Sequence, residues 1–149
     1  MQDALTVFSQ GQAITVSAAS NYAGTGAGSF SAGVLDTGGE GSIGDVVKKF
    51  PLVVTVGVPF AGPVGSTLVV FAQESNDGVT WTNTDLGNSA ANTLALGSLF
   101  SAGALLLKGV LPISGAGPSG KLGRYLRVYY TVSGGPFTAG TINAWLDTY

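Results

Sequence analysis

With 149 residues, 45% of them apolar, the chain has the length of one ordinary domain and enough apolar side chains to bury a core. Only 9% of residues are charged, the formal net charge is −2, and Lys48-Lys49 is the one basic cluster, so the footprint that a phosphate backbone needs is missing and no nucleic-acid partner is expected. Cysteine and histidine are absent, which excludes disulfides, thiolate chemistry, the usual imidazole base and the commonest transition-metal ligand.

The opening Met1-Gln2-Asp3-Ala4-Leu5 has no basic segment followed by an apolar stretch, so the chain is expected to be made in the cytoplasm and used without export. No unbroken run of apolar residues reaches the about 18 that span a bilayer, and no membrane partner is expected. Residues 1–12 read as an N-terminal arm, and 13–17, a β-branched run after Gly11, as the first strand. Residues 18–44 are dominated by Gly, Ser, Ala and Thr, with Tyr22, Phe30, Val34, Leu35 and Ile43 as anchors. A segment this long without its own elements is expected to be a surface excursion ordered by a neighbouring chain.

Residues 52–58 and 67–75 are apolar and β-branched at both alternating positions and read as central strands covered on both faces. Pro59, Gly62, Pro63 and Gly65 mark the link between them. Asn76-Asp77-Gly78 predicts a hairpin into residues 80–84. Residues 86–104 read as loop with one helical turn, and 105–113 as a strand whose Pro112 puts its end at an edge or bulge. After a Gly- and Pro-rich loop come two clear strands, 124–132 and 141–147. Leu126, Val128, Tyr130 and Val132 share the core face of the first, and Ile142, Ala144 and Leu146 that of the second. If Gly134-Gly135-Pro136-Phe137 folds the chain back, Arg127 lies opposite Trp145 and Tyr129 opposite Asn143. Eight or so short strands without a long helix predict a single all-β domain over 1–149, a jelly-roll-like two-sheet antiparallel sandwich.

Catalytic patterns are weak. No Ser-x-x-Lys context surrounds the lysines, the only glutamates are Glu40 and Glu74, and Asp77 and Asp85 flank expected turns, where Asp accepts backbone hydrogen bonds. Asp36, Glu40 and Asp45 could offer oxygens to calcium, but with no defined ligand spacing, and Gly24, Gly26 and Gly28 lack the Gly-Lys-Ser/Thr and helix of a phosphate loop. No enzyme activity, metal or cofactor is therefore expected. The aromatic face of Tyr125, Tyr129 and Trp145 has three readings: a subunit interface, intrachain packing with Arg127, or a platform for sugar rings.

The stretch Gly-Arg-Tyr-Leu-Arg-Val-Tyr-Tyr-Thr-Val-Ser-Gly-Gly-Pro-Phe-Thr-Ala-Gly-Thr-Ile, residues 123–142, closely resembles capsid cement (decoration) proteins of short-tailed bacteriophages. Phe8-Ser9-Gln10-Gly11-Gln12-Ala13-Ile14-Thr15, followed by Ser17-Ala18-Ala19-Ser20, is similar to the opening of that family, and together the matches cover about a third of the chain. The 21–44 region departs from the family pattern through a Gly-rich insertion between Ser20-Asn21-Tyr22 and Leu35-Asp36-Thr37-Gly38. The resemblance implies a jelly-roll-like homotrimer, without activity or cofactor, on the outer capsid surface of the virion where major capsid protein subunits meet. Phe8, Tyr22, Phe30, Tyr125, Arg127, Tyr129 and Trp145 are the candidate interface residues. A neutral surface, poor at keeping free monomers apart, suits permanent assembly. A glycan-binding sandwich and a tail- or fibre-associated module are the alternatives.

Overall fold

The computed structural model describes residues 7–14, 28–30, 33–36, 51–88, 92–93, 98–110, 123–134 and 136–147. Ten strands lie among them: β1 (Val7–Ala13), β2 (Gly28–Phe30), β3 (Leu35–Asp36), β4 (Pro51–Val56), β5 (Thr67–Ser75), β6 (Thr82–Asn88), β7 (Asn92–Thr93), β8 (Leu105–Val110), β9 (Tyr125–Ser133) and β10 (Thr141–Leu146), with a 3₁₀ turn at Ser98–Phe100. One sheet has the order β1-β10-β4-β8. The other has the order β2-β9-β5-β6, with β3 also on β9 and β7 on β5. The pairings are antiparallel. The chain passes between sheets at β1/β2, β3/β4, β4/β5, β7/β8, β8/β9 and β9/β10, while β5 and β6 form a hairpin within one sheet. This is the two-layer, jelly-roll-like antiparallel sandwich expected from the strand spacing.

Alternation along the strands builds the core. β5 and β9 bury Leu68, Val70 and Ala72 and Leu126, Val128, Tyr130 and Val132. β4 and β10 answer from the facing sheet with Leu52, Val54 and Val56 and Ile142, Ala144 and Leu146. The core faces read from the last two strands are therefore present. Their mutual pairing is not. β9 and β10 lie in different sheets, so Arg127 is opposite Gln73 and Tyr129 opposite Phe71, while Trp145 is opposite Val7 and Val53. A Gly-Pro turn between two alternating strands fits a fold-back within one sheet or a crossover between two, and the sandwich uses the crossover.

Three further expectations are corrected. The first strand spans Val7–Ala13, so most of the expected arm is in the sheet, whereas 15–17 lie outside the described residues. Gly11, taken as a break, adopts φ 58° inside this strand where the register slips against β10, as a glycine does in a β-bulge. A second slip lets the consecutive Phe8 and Ser9 both be buried, which hides the strand from a period-2 reading. Finally, β5 is covered on one face only, because its outward residues Thr67, Val69, Phe71 and Gln73 are half-exposed.

One polar relay crosses the core. The Tyr130 hydroxyl and Ser9 Oγ are 2.8 Å apart, and Ser9 Oγ donates to Gln12 Oε1 at 2.7 Å. The phenol thus has the partner that a buried hydroxyl requires, and burial pushes its pKa up, so it stays protonated as a donor.

The crossover into β10 is clamped at one end of the sandwich. Phe60 and Phe137 meet edge to face with ring centroids 4.8 Å apart, Phe60 N–H donates to Leu99 C=O at 2.8 Å, and Ala61 bridges Ala139. Gly140 lies beneath the Phe60 ring with φ 134°.

Candidate interaction face

The outward face of the β9-β5-β6 layer brings together aromatic, amide and arginine side chains. Period-2 alternation that sends Leu126, Val128 and Tyr130 inward sends Tyr125, Arg127 and Tyr129 outward, and their antiparallel partners on β5 are Ser75, Gln73 and Phe71. Arg127 Nε donates to Gln73 Oε1 at 2.9 Å, and Gln73 Nε2 donates to Asn83 Oδ1 at 3.0 Å, so three strands are tied by one side-chain chain. The Arg127 guanidinium lies 4.0 Å from the centre of the Trp81 ring, in cation–π range. Beside it the Phe71 and Tyr129 rings pack at 6.1 Å, tilted by 42°. Partial burial pulls the Arg127 pKa down to about 10, which leaves it cationic at neutral pH. The result is a cation set into a half-desolvated aromatic floor.

At the end of this face Arg124 donates from Nε and Nη2 to the two carboxylate oxygens of Asp36, at 2.7 and 2.8 Å, and its guanidinium lies 4.9 Å from the Tyr125 ring centre. The fork geometry holds β3 to the start of β9, and the neighbouring carboxylate raises the Arg124 pKa further. Both groups are about half-exposed, so solvent screens the pair and it serves mainly to set geometry. Asp36, considered above as a calcium ligand, is thus paired with arginine; Glu40 and Asp45 lie outside the described residues. Glu74 is 2% exposed, and its Oε2 accepts from Gly123 N–H at 2.6 Å, pinning the chain just before β9. Among the described residues no three His, Cys, Asp or Glu side chains converge as a metal site would require.

The candidate residues divide accordingly. Tyr125, Arg127 and Tyr129 share the face. Phe30 lies on β2, where its backbone pairs with that of Tyr129. Tyr22 lies outside the described residues. Phe8 is a core residue, 3% exposed, because the β1 bulge turns it inward. Trp145 faces outward from the other sheet, so the platform of Tyr125, Tyr129 and Trp145 does not form. Trp81, missed in the sequence, supplies the missing ring; its signal was its place directly after the Asp77-Gly78 turn, which returns the chain alongside Arg127.

That turn is held by Asp77, whose Oδ1 accepts from Val79 N–H at 2.8 Å and Thr80 N–H at 2.7 Å, and from the Ser75 hydroxyl at 2.9 Å. These donors hold the Asp77 carboxyl well below the usual carboxylate range. A depressed folded-state pKa contributes stability that is complete above the unfolded value of about 3.9 and fades as pH falls below it. Asp77→Asn, which removes the titrating group and leaves one amide oxygen as acceptor, is expected to lower stability at pH 7 and to flatten its fall between about pH 4 and pH 2. Denaturant unfolding of both proteins across that range checks this.

Fold and face together define a small jelly-roll sandwich with a largely neutral surface and one aromatic, arginine-bearing sheet face. A sequence model of the Bbp16 family matches residues 8–146, and the chain belongs to that family. The comparison with curated proteins returned no match.

Proposed function

We propose that the chain is a non-enzymatic virion protein, a trimeric cement subunit that sits on the outer capsid surface and ties neighbouring major-capsid subunits together. The observation that carries this reading is the face of Trp81, Arg127, Gln73, Asn83, Phe71 and Tyr129, rich in the aromatic and arginine side chains that dominate protein interfaces. The sequence of residues 123–142, which builds β9 and the crossover, is also the stretch that resembles capsid cement proteins. Low charge supports the trimer, since a closed ring hides neutral and apolar surface that a monomer exposes. Val64, Val79, Leu105 and Phe100 are large apolar side chains exposed in the single chain. Three linked contacts also convert weak single-site attachment into tight attachment through effective concentration. Static light scattering at micromolar concentration is expected to give about three times the 14.9 kDa of one chain, and a stable monomer contradicts the trimer. Particles carrying the protein are expected to retain their genome to higher temperature than particles lacking it, and equal retention contradicts the clamping role.

A further inference from the structure

The connection between β5 and β6 contains Asp77-Gly78, a pair prone to rearrangement because glycine, without Cβ, leaves its amide nitrogen unhindered toward the preceding carboxyl carbon. In that reaction the Gly78 nitrogen bonds to Asp77 Cγ and the protonated carboxyl loses a hydroxyl, which leaves as water with the amide proton. The succinimide then takes up one water at either carbonyl, returning aspartate or giving isoaspartate, with no net change in composition.

We propose that Asp77-Gly78 is a latent isoaspartate site and that the Ser75 hydroxyl is its guard. Ser75 Oγ accepts the Gly78 N–H at 2.9 Å and donates its own proton to Asp77 Oδ1 at 2.9 Å, so one hydroxyl occupies both the nucleophile and the electrophile. Oδ1 takes two more donors, Val79 N–H and Thr80 N–H, which stabilise the carboxylate, the form that has no hydroxyl to lose. Ser75 is buried and the Tyr125 ring lies against Gly78, where an added Cβ would be 3.7 Å from it, so the guarding hydroxyl and the glycine backbone are held in place while Asp77 itself stays open to water. Gly78 also sits at φ 72°, the conformation the turn demands.

The consequence reaches the interaction face. Isoaspartate routes the main chain through Cβ and Cγ and lengthens the 76–81 connection by one methylene, which displaces Trp81, at its far end, from the Arg127 guanidinium. Ageing at this one peptide bond would remove the ring that completes the face.

The test follows isoaspartate at residue 77 by isoaspartyl methyltransferase labelling and peptide fragmentation during incubation at 37 °C and neutral pH. Wild-type protein is compared folded and in denaturant, beside folded Ser75→Cys, nearly isosteric but a poor hydrogen-bonding group, and Ser75→Thr, which keeps the hydroxyl. Folded wild type is expected to react at least tenfold more slowly than denatured chain, Ser75→Cys at least threefold faster than wild type, and Ser75→Thr close to wild type. A native rate equal to the denatured rate overturns the latent site, and a folded Ser75→Cys at the wild-type rate overturns the guard.

Discussion

Gly140→Ala is expected to be among the most damaging single substitutions in the chain, lowering stability by about 4 kcal/mol. Two costs combine. At φ 134° an L side chain is strained, at about 1–3 kcal/mol. A Cβ there would also lie 2.3–2.6 Å from three atoms of the Phe60 ring, and overpacking of that kind costs about 1–3 kcal/mol. The ring has no easy retreat, because Phe137 packs on it and the backbone of Phe60 is hydrogen-bonded to Leu99. Gly65→Ala is the control: φ 89° is also strained, but nothing lies within 4 Å of the added carbon, so about 1 kcal/mol is expected. Denaturant unfolding separates the two, and in a Phe60→Leu background the Gly140→Ala cost is expected to shrink. Equal losses at Gly140 and Gly65 would show that the ring does not confine this crossover.

Arg127→Glu is expected to produce the largest functional effect with little change in fold. The guanidinium is cationic, half-buried and stacked on Trp81, with Gln73 and Asn83 fixing its plane. Reversing a charge set into a protein interface costs about 2 kcal/mol or more, about 30-fold in affinity per subunit. If the proposed trimer attaches to capsids through three such faces, the loss multiplies, and sedimentation with capsids is expected to fall from near-complete to undetectable. Trp81→Ala is expected to weaken attachment as well, by removing the ring that orients the cation. Thr131→Ala, on the same strand and face but away from the arginine cluster, is expected to bind as wild type. If Arg127→Glu remains folded and binds undiminished, the contact lies elsewhere.

Strand positions and core faces were legible wherever alternation was uninterrupted. β5, β9 and β10 coincide closely with their expected ranges, and Leu126 through Val132 and Ile142 through Leu146 point inward as their period requires. The hairpin at Asp77-Gly78 was legible because that dipeptide has few other backbone uses. What the residues could not convey was sheet membership. The outward positions of β9 were identified, but their neighbours were not, since Gln73 and Phe71 lie some fifty to sixty residues away in sequence and only topology brings them beside Arg127 and Tyr129.

Bulges concealed the rest. In β1, Phe8 and Ser9 are buried in succession, and in β8 a register slip leaves both Leu106 and Leu107 facing inward, so neither strand shows a clean alternation. Trp81 falls within the expected 80–84 strand but has no role there on sequence alone; it lies just before β6, and its neighbour Arg127 is far away in sequence. Its partner is defined by the turn geometry of Asp77 rather than by its own neighbours.

The most direct test of the proposed cement role is a cryo-microscopy reconstruction of tailed-phage particles assembled with this chain. The account predicts the sandwich on the outer shell at junctions of major-capsid subunits, in groups of three, with Trp81 and Arg127 turned toward the shell. Absence of the sandwich from the outer shell, or a sandwich seated there with this face turned to solvent, would contradict it.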